Sequence, residues 1–419
     1  MKKSGKPRPW RQTIAFFLVG QAFSLIGSSM VAYAIMWHVT LKTGSGTMMT
    51  AFTFAIMLPS LFIAPLGGVW ADNFNRRTLI NIADGFIAAV TIFIAISYSM
   101  GFENIWLLLA CSAARSLGQG VQMPAVNALI PQIVPSESLL RINGINTMIQ
   151  SISMLGTPAL AGAILTFFPI QNILYIDVVT AAASITILFL FVKVARPRES
   201  DEGEAAGRKP MLSDLKDGLR YVRGHVFLRH FFILMSVFQI CLAPVALLAP
   251  LQVARNFGEE VWLLTVMEIA FSAGMAAGGL VISTWGGLKN RTRTVAASFV
   301  FIAVFGVGLG LTKSFVCYSI FMAIIGVTAA TGNTPALTVL QEKVDPTYMG
   351  RVFSVMTIIS SVVMPFATAV FGPLSDRISL DIIIIATSAL IGLIGIYIFT
   401  DKVMIEAGKR EGDRNTLPI

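Results

Sequence analysis

The sequence predicts an all-α polytopic membrane protein with twelve transmembrane helices in two pseudo-symmetric six-helix bundles. Three observations carry this prediction. Of 419 residues, 55% are hydrophobic and only 13% are charged, about half the charged share of a soluble domain. Apolar runs recur from Ile14 to Thr400, each about 20 residues long and able to cross a hydrocarbon core roughly 30 Å thick. Lys and Arg are sorted between the loops: 26 of the 31 fall on one side, four on the other, and Arg115 lies inside a span. Such a bias places both termini in the cytoplasm and requires an even number of spans. A β-barrel would show segments of about ten residues with alternating polarity, and none stand out.

The remaining composition narrows the function. A net charge of +9 follows from the basic cytoplasmic loops and implies no nucleic-acid partner. Three cysteines (Cys111, Cys241 and Cys317) all lie in apolar spans, and three histidines are scattered, so neither a disulfide framework nor a metal site is expected. No GxxxxGK[ST] nucleotide loop occurs. An ion or substrate gradient is therefore the expected energy source, with no cofactor.

Span one covers residues 12–38. The basic "MKKSGKPRPWR" before it imitates a signal peptide, but the apolar run is too long and no small-residue cleavage site follows. It carries Gln21, Ser24 and Ser28. Spans two (47–71) and three (78–100) flank "GGVWADNFNRR", which holds Gly68, Asp72, Arg76 and Arg77. Gly68 is expected to allow close helix packing. Asp84 follows Arg77 by seven residues and is assigned to the same cytoplasmic charge cluster. Span four (104–130) places Ser112, Arg115, Gln119 and Gln122 at spacings of +3, +4 and +3, one helical face. Spans five and six cover 139–167 and 170–193, and span six carries Asp177.

A polar segment follows from Arg196 to Arg229. "RPRESDEGEAAGRKP" is a flexible charged linker by composition. Leu212, Leu215, Leu219, Val222 and Val226 then repeat at helical spacing opposite Lys216, Arg220 and Arg223, which predicts an amphipathic helix at the cytoplasmic interface. The expected organisation is a first bundle over 1–193, a linker over 194–227, a second bundle over 228–401 and a cytoplasmic tail over 402–419.

Span seven (228–255) carries Gln239, and Pro244 and Pro250 are placed to kink or break it. Spans eight (261–284), nine (294–313), ten (315–341), eleven (349–373) and twelve (380–400) complete the second half. Span eight carries Glu268, span ten carries Thr331, Thr334, Thr338 and Gln341 at +3, +4 and +3, and span eleven begins at Gly350 and Arg351. The halves repeat. "PAVNALIPQIVP" from Pro124 matches "PALTVLQEKVDP" from Pro335 at an offset of 211, and the same offset lays Gly67-Gly68 on Gly278-Gly279. Parallel six-span repeats are one plan of secondary transporters.

Polar residues at lipid depth face a cavity or a partner. The faces on spans one, four and ten point to a shared aqueous path formed by Gln21, Ser24, Ser28, Gln119, Gln122, Gln239, Thr331, Thr334 and Thr338. The competing reading is helix–helix hydrogen bonding without a cavity. Arg115, Asp177 and Glu268 fall in one layer roughly 10–15 Å from the outer surface by helical rise. They are candidates for proton coupling; static pairing, or a snorkelling acid, is the alternative.

At this point the residues resemble a known family. Gly68, Asp72, Arg76 and Arg77 resemble the span 2–3 loop signature of the major facilitator superfamily, with Asn73 and Asn75 replacing an Arg and a Gly of that pattern. Arg115 in "RSLGQG" resembles the span-four motif of its drug:proton antiporters. "GTPALAG" resembles their span-five motif through Gly156, Pro158 and Gly162. Over nearly its full length the chain is similar to macrolide-efflux-type members. The resemblance implies the major facilitator fold, a monomer in the plasma membrane, and alternating access that exchanges protons for amphiphilic small molecules, with membrane lipids around it. It also implies a contact between Asp72 and the start of span eleven near Gly350 and Arg351. Phe23, Met30, Tyr33, Trp37 and Met123 are candidate contacts for a bulky solute, though packing accounts for them equally. Export or flipping of an endogenous siderophore or lipid is the alternative on the same fold, and a non-transporting scaffold or receptor is the alternative of another class. An enzyme is not expected, because no nucleophile–base pair or cluster of His or metal-type acids is present.

Overall fold

The computed structural model describes residues 10–192 and 211–409. Among them are twelve helices of 21 to 34 residues and no strand. The first six are α1 (Trp10–Thr43), α2 (Gly46–Asn73), α3 (Arg76–Ser99), α4 (Ile105–Ile133), α5 (Leu139–Phe167) and α6 (Ile170–Phe191). A short helix, α7 (Met211–Gly224), precedes α8 (Val226–Leu247), α9 (Ala249–Asn256), α10 (Val261–Trp285) and α11 (Arg291–Leu311). Then come α12 (Phe315–Lys343), α13 (Met349–Ser375), α14 (Leu380–Thr400) and α15 (Lys402–Ala407).

Eleven of the twelve long helices are apolar enough by composition alone to cross a membrane. The exception is α4, the helix that carries Arg115 and three glutamines. Span seven is broken at Leu248, which separates α8 from α9. Its two prolines sit where such a break is tolerated: Pro244 in the last turn of α8 and Pro250 at the start of α9, where its missing N–H costs nothing. Three helices start on an asparagine cap, as polar turns between apolar runs favour. Asn75 accepts from Thr78 N, Asn104 from Trp106 N and Asn290 from Arg293 N.

The chain divides into two compact units, one of residues 1–42 and 51–206, the other of residues 43–50 and 207–419. In the first, α3 packs on α4 and α6. In the second, α11 packs on α12 and α14. These are the same pairs under the 211-residue offset, so the repeat extends to packing. The first unit has a core around Phe17, Ile80, Leu129 and Leu188, and the second around Phe231, Phe299, Leu340 and Ile398. Large apolar side chains also point outward, among them Phe62, Leu140 and Phe366. That pattern suits helices surrounded by lipid, where backbone polarity is satisfied within each helix.

The glycine pairs act differently from the sequence expectation. Gly67, not Gly68, makes the close approach. A Cβ on Gly67 would lie 2.8 Å from Gly120 O and 2.9 Å from Val121 Cα, whereas one on Gly68 would meet open space. The repeat copies this: Gly278 abuts Val327 on α12, and Gly279 is open. Adjacent helical residues are about 100° apart, so only one of each pair can face the neighbouring helix.

The amphipathic segment is helical, but it ends at Gly224, and Val226 belongs to α8. Val222 is buried, and Leu219 and Val226 are exposed. Its docking face is built instead on Gly218, against the Arg351 backbone, and on Tyr221, stacked on Tyr348 with ring centroids 4.3 Å apart. The linker before it and the C-terminal tail beyond Lys409 lie outside the described residues.

Candidate functional site

The buried charges of the first unit form two linked clusters. In the first, Arg115 on α4 donates through Nη1 to Asp177 Oδ2 on α6 at 2.6 Å. Arg115 also donates to Thr91 Oγ1 on α3, and Thr91 donates to the same Asp177 oxygen at 3.1 Å. Gly27 of α1 covers this pair: a Cβ there would lie 2.8 Å from Asp177 Oδ1. The absent side chain lets α1 close over the ion pair. Of the three residues predicted to share one layer, the structure pairs these two. Glu268 belongs to the second unit, is half-buried on α10 and makes no ion pair among the described residues.

The second cluster centres on Asp84. The sequence assigned it to the cytoplasmic charges, and the structure corrects this. Asp84 is 1% exposed. Its Oδ1 accepts from Ser24 Oγ on α1 at 3.2 Å and from Gln122 Nε2 on α4 at 2.6 Å. The physical reason is the register of α3. Ile80, Asp84, Ile87, Thr91 and Ile94 recur every three or four residues and are all buried, so Asp84 turns inward with them. Asp177 is within electrostatic reach, and Ser184 of α6 lies beside the same carboxyl.

The two arginines of the turn between α2 and α3 have separate work. Arg76 donates from Nε to Ala71 O at 2.9 Å and from Nη1 to Ala128 O at 2.8 Å. Arg77 donates to Phe189 O and lies over the Phe189 ring. Both bind carbonyls near helix C-termini, where a cation also opposes the negative end of the dipole. Asp72 is exposed and pairs loosely with Arg76 at 3.7 Å. Gly350 meets open space, and the Arg351 guanidinium sits over the Tyr348 ring.

Of the predicted cavity residues, Ser24 and Gln122 meet at Asp84, and Gln21, Ser28 and Gln119 are half-buried on the same two helices. In the second unit Gln239 donates to Ser360 Oγ at 3.2 Å. Thr334 and Thr338 bond to carbonyls of their own helix. Thr331 departs from a cavity role: it is buried 3.4 Å from Ser298 on α11, a helix–helix contact. Met30 and Trp37 are also packed, at 3% and 0% exposure, whereas Phe23 and Met123 are exposed. Pro158 and Gly162 are buried within an unbroken α5, and Gly156 meets open space.

Charge is unequal between the repeats. At the offset of 211, Asp84, Arg115 and Asp177 correspond to Val295, Gly326 and Ser388. The second half keeps the helix packing and drops the charges.

Two features escaped the sequence. A groove of about 580 Å³ runs between α1 and α5, with apolar walls that include Ile14, Leu18, Ile142 and Ile149, and with Arg11 and Arg141. In the second unit, Asp376 at the end of α13 caps the first turn of α2. It accepts from Ser45 Oγ at 2.8 Å, Gly46 N at 2.7 Å, Thr47 N at 2.9 Å and Thr47 Oγ1 at 2.7 Å. Arg255 donates at 2.8 Å to Oδ1, the oxygen that also accepts from Gly46 N, while Ser45 and Thr47 share Oδ2. Partial burial pushes this carboxyl up, but the bonds from Thr47, Gly46 and Ser45 outweigh it and hold the pKa down to about 2. No local pattern announces a cap supplied from more than 300 residues away.

The family model of the Major Facilitator Superfamily matches residues 17–368. The chain belongs to the major facilitator superfamily. It is a multi-pass membrane transporter of a small molecule and not an enzyme. This transporter is 28% identical over 381 residues to macrolide efflux protein A of Streptococcus pyogenes, covering 89% of this chain and 91% of that one. It is 22% identical over 372 residues to the multidrug efflux pump Tap of Mycobacterium bovis (strain BCG / Pasteur 1173P2), covering 84% of each. Its fold resembles a bacterial homologue of the iron transporter ferroportin in an inward-facing state, with a TM-score of 0.66, 14% identity, and coverage of 93% of this chain and 99% of that one. It also resembles the nucleoside transporter NupG, with a TM-score of 0.65 and 12% identity over 94% of this chain and 99% of that one.

Proposed function

We propose that this transporter exports amphiphilic or hydrophobic compounds, macrolide-like drugs among them, in exchange for protons and by alternating access. It acts in the plasma membrane with both termini in the cytoplasm, where the positive loops fall. The observation that carries the reading is the set of buried charges in the first unit: Arg115, Asp177 and Asp84 at lipid depth, with Ser24 and Gln122 on the polar faces of α1 and α4. Intramembrane ionisable groups are costly and mark ion pathways; a scaffold has no use for them. Similarity to macrolide efflux protein A over most of both chains supports the substrate class.

The test is drug susceptibility and dye accumulation in an efflux-deficient bacterial host. Expression of the wild type is expected to raise macrolide tolerance and lower dye accumulation, and an uncoupler is expected to abolish the difference. Unchanged accumulation of every macrolide and dye would count against export. Efflux that persists with an uncoupler would count against proton exchange.

A further inference from the structure

The two buried acids of the first unit are not equivalent. Asp177 is closed off: Arg115 and Thr91 both donate to its Oδ2, and Gly27 packs against its Oδ1. Asp84 is half open in a chemical sense. Its Oδ1 takes two donors, and its Oδ2 is buried with no donor among the described residues. Ser184 Oγ, beside the same carboxyl, is also buried and without a partner.

Charge balance separates them further. Asp84 and Asp177 are two potential negative charges within electrostatic reach of one another, and the one cation at this cluster among the described residues, Arg115 of α4, is paired with Asp177. Among the described residues α1 offers Ser24 and no charge at this point, and α6 offers Asp177 and Ser184. One guanidinium neutralises one carboxylate. The second negative charge, in a medium that solvates charge poorly, calls for one more positive charge. A single proton on Asp84 Oδ2 supplies it. It also turns the bare acceptor into a donor, and Ser184 Oγ can accept from it.

We propose that Asp84, rather than the Arg115–Asp177 pair or Glu268, is the carboxyl that takes up and releases the exchanged proton. The proposal rests on the proton-exchange reading above and names the residue that performs it. The step is a reversible protonation of Oδ2 with no other bond made or broken. Its coupling to substrate lies in Oδ1. Ser24 and Gln122 hold that oxygen, and they also belong to the polar faces of α1 and α4. A solute that offers the ionised Oδ1 stronger donors than Ser24 and Gln122 favours the deprotonated carboxylate, so solute binding and protonation oppose one another, as exchange transport requires.

The test uses the purified full-length protein and two independent readouts. Infrared difference spectra are recorded as pH is stepped across neutrality, for wild type, Asp84→Asn, Asp84→Glu and Glu268→Gln. The wild type is expected to gain a carboxylic-acid carbonyl band on acidification. That band is lost in Asp84→Asn, shifted in Asp84→Glu and kept in Glu268→Gln. A band unchanged in Asp84→Asn, or lost only in Glu268→Gln, overturns the proposal. The same proteins in proteoliposomes are tested with radiolabelled erythromycin. Asp84→Asn is expected to lose transport driven by a pH gradient while keeping downhill counterflow, which also shows that it is folded. Gradient-driven transport retained at wild-type rate in Asp84→Asn overturns the proposal. If the wild type moves no erythromycin, the macrolide reading fails, and the infrared band still decides Asp84.

Discussion

Arg115 and Asp177 form a hydrogen-bonded ion pair at 2.6 Å between α4 and α6, with side chains only 5% and 1% exposed. At that burial the pair acts as a unit. Attraction offsets the loss of hydration only while both partners are present. Arg115→Ala is therefore expected to destabilise the first unit by about 3–5 kcal/mol, the usual cost of stranding a buried charge. Asp177→Leu combined with Arg115→Met is expected to recover most of that loss. Thermal unfolding in detergent measures both. Equal destabilisation by the single and double variants would show that the pair carries no coupling energy.

Gly67 and Gly68 make a sharper comparison, because they are neighbours of the same type. Gly67→Ala places a methyl 2.8 Å from the Gly120 carbonyl on α4, a backbone atom that cannot step aside. The expected cost is about 1–3 kcal/mol, as for other overpacked contacts. Gly68→Ala meets open space and is expected to change stability by no more than about 0.5 kcal/mol. Gly278→Ala and Gly279→Ala are expected to reproduce the contrast in the second half. Melting temperatures of the four variants check this.

Asp376 links stability to pH. Its carboxyl titrates at about 2 in the folded protein, below its ordinary value of 3.8. A depressed folded-state pKa adds stability above the unfolded value, and that stability is lost as pH falls through the folded one. Asp376→Asn is expected to melt at a lower temperature than wild type at neutral pH. The gap should close between about pH 4 and pH 2. A gap that stays constant over that window would show that the ionised carboxylate is not what holds the first turn of α2.

Much of the architecture was legible because lipid-spanning helices announce themselves. Apolar runs and sorted Lys and Arg predict the twelve helices, and Pro244 with Pro250 predicts a kink or break in span seven, which the structure puts at Leu248. Arg115 stood out on α4 because a guanidinium at lipid depth has no cheap position. Distance from Arg77 groups Asp84 with the loop charges, whereas helical phase turns it inward. The stripe from Ile80 through Asp84 to Ile94 held the missing signal. For Thr331 the sequence leaves cavity and helix contact open: a periodic polar face does not say whether a helix or water lies against it, and Ser298 does. The Asp376 cap left no trace, since its partners are remote in sequence and its own surroundings read as an ordinary loop.

The central claim is that a proton gradient drives export of macrolide-like compounds, and the most direct measurement is transport into inside-out membrane vesicles. Vesicles from an efflux-deficient host that expresses the wild-type protein are energised to acidify the lumen, and uptake of a radiolabelled macrolide is followed. The account predicts accumulation that begins with acidification and collapses when an uncoupler dissipates the gradient. Uptake no greater than in vesicles lacking the protein, or uptake indifferent to the uncoupler, would contradict it.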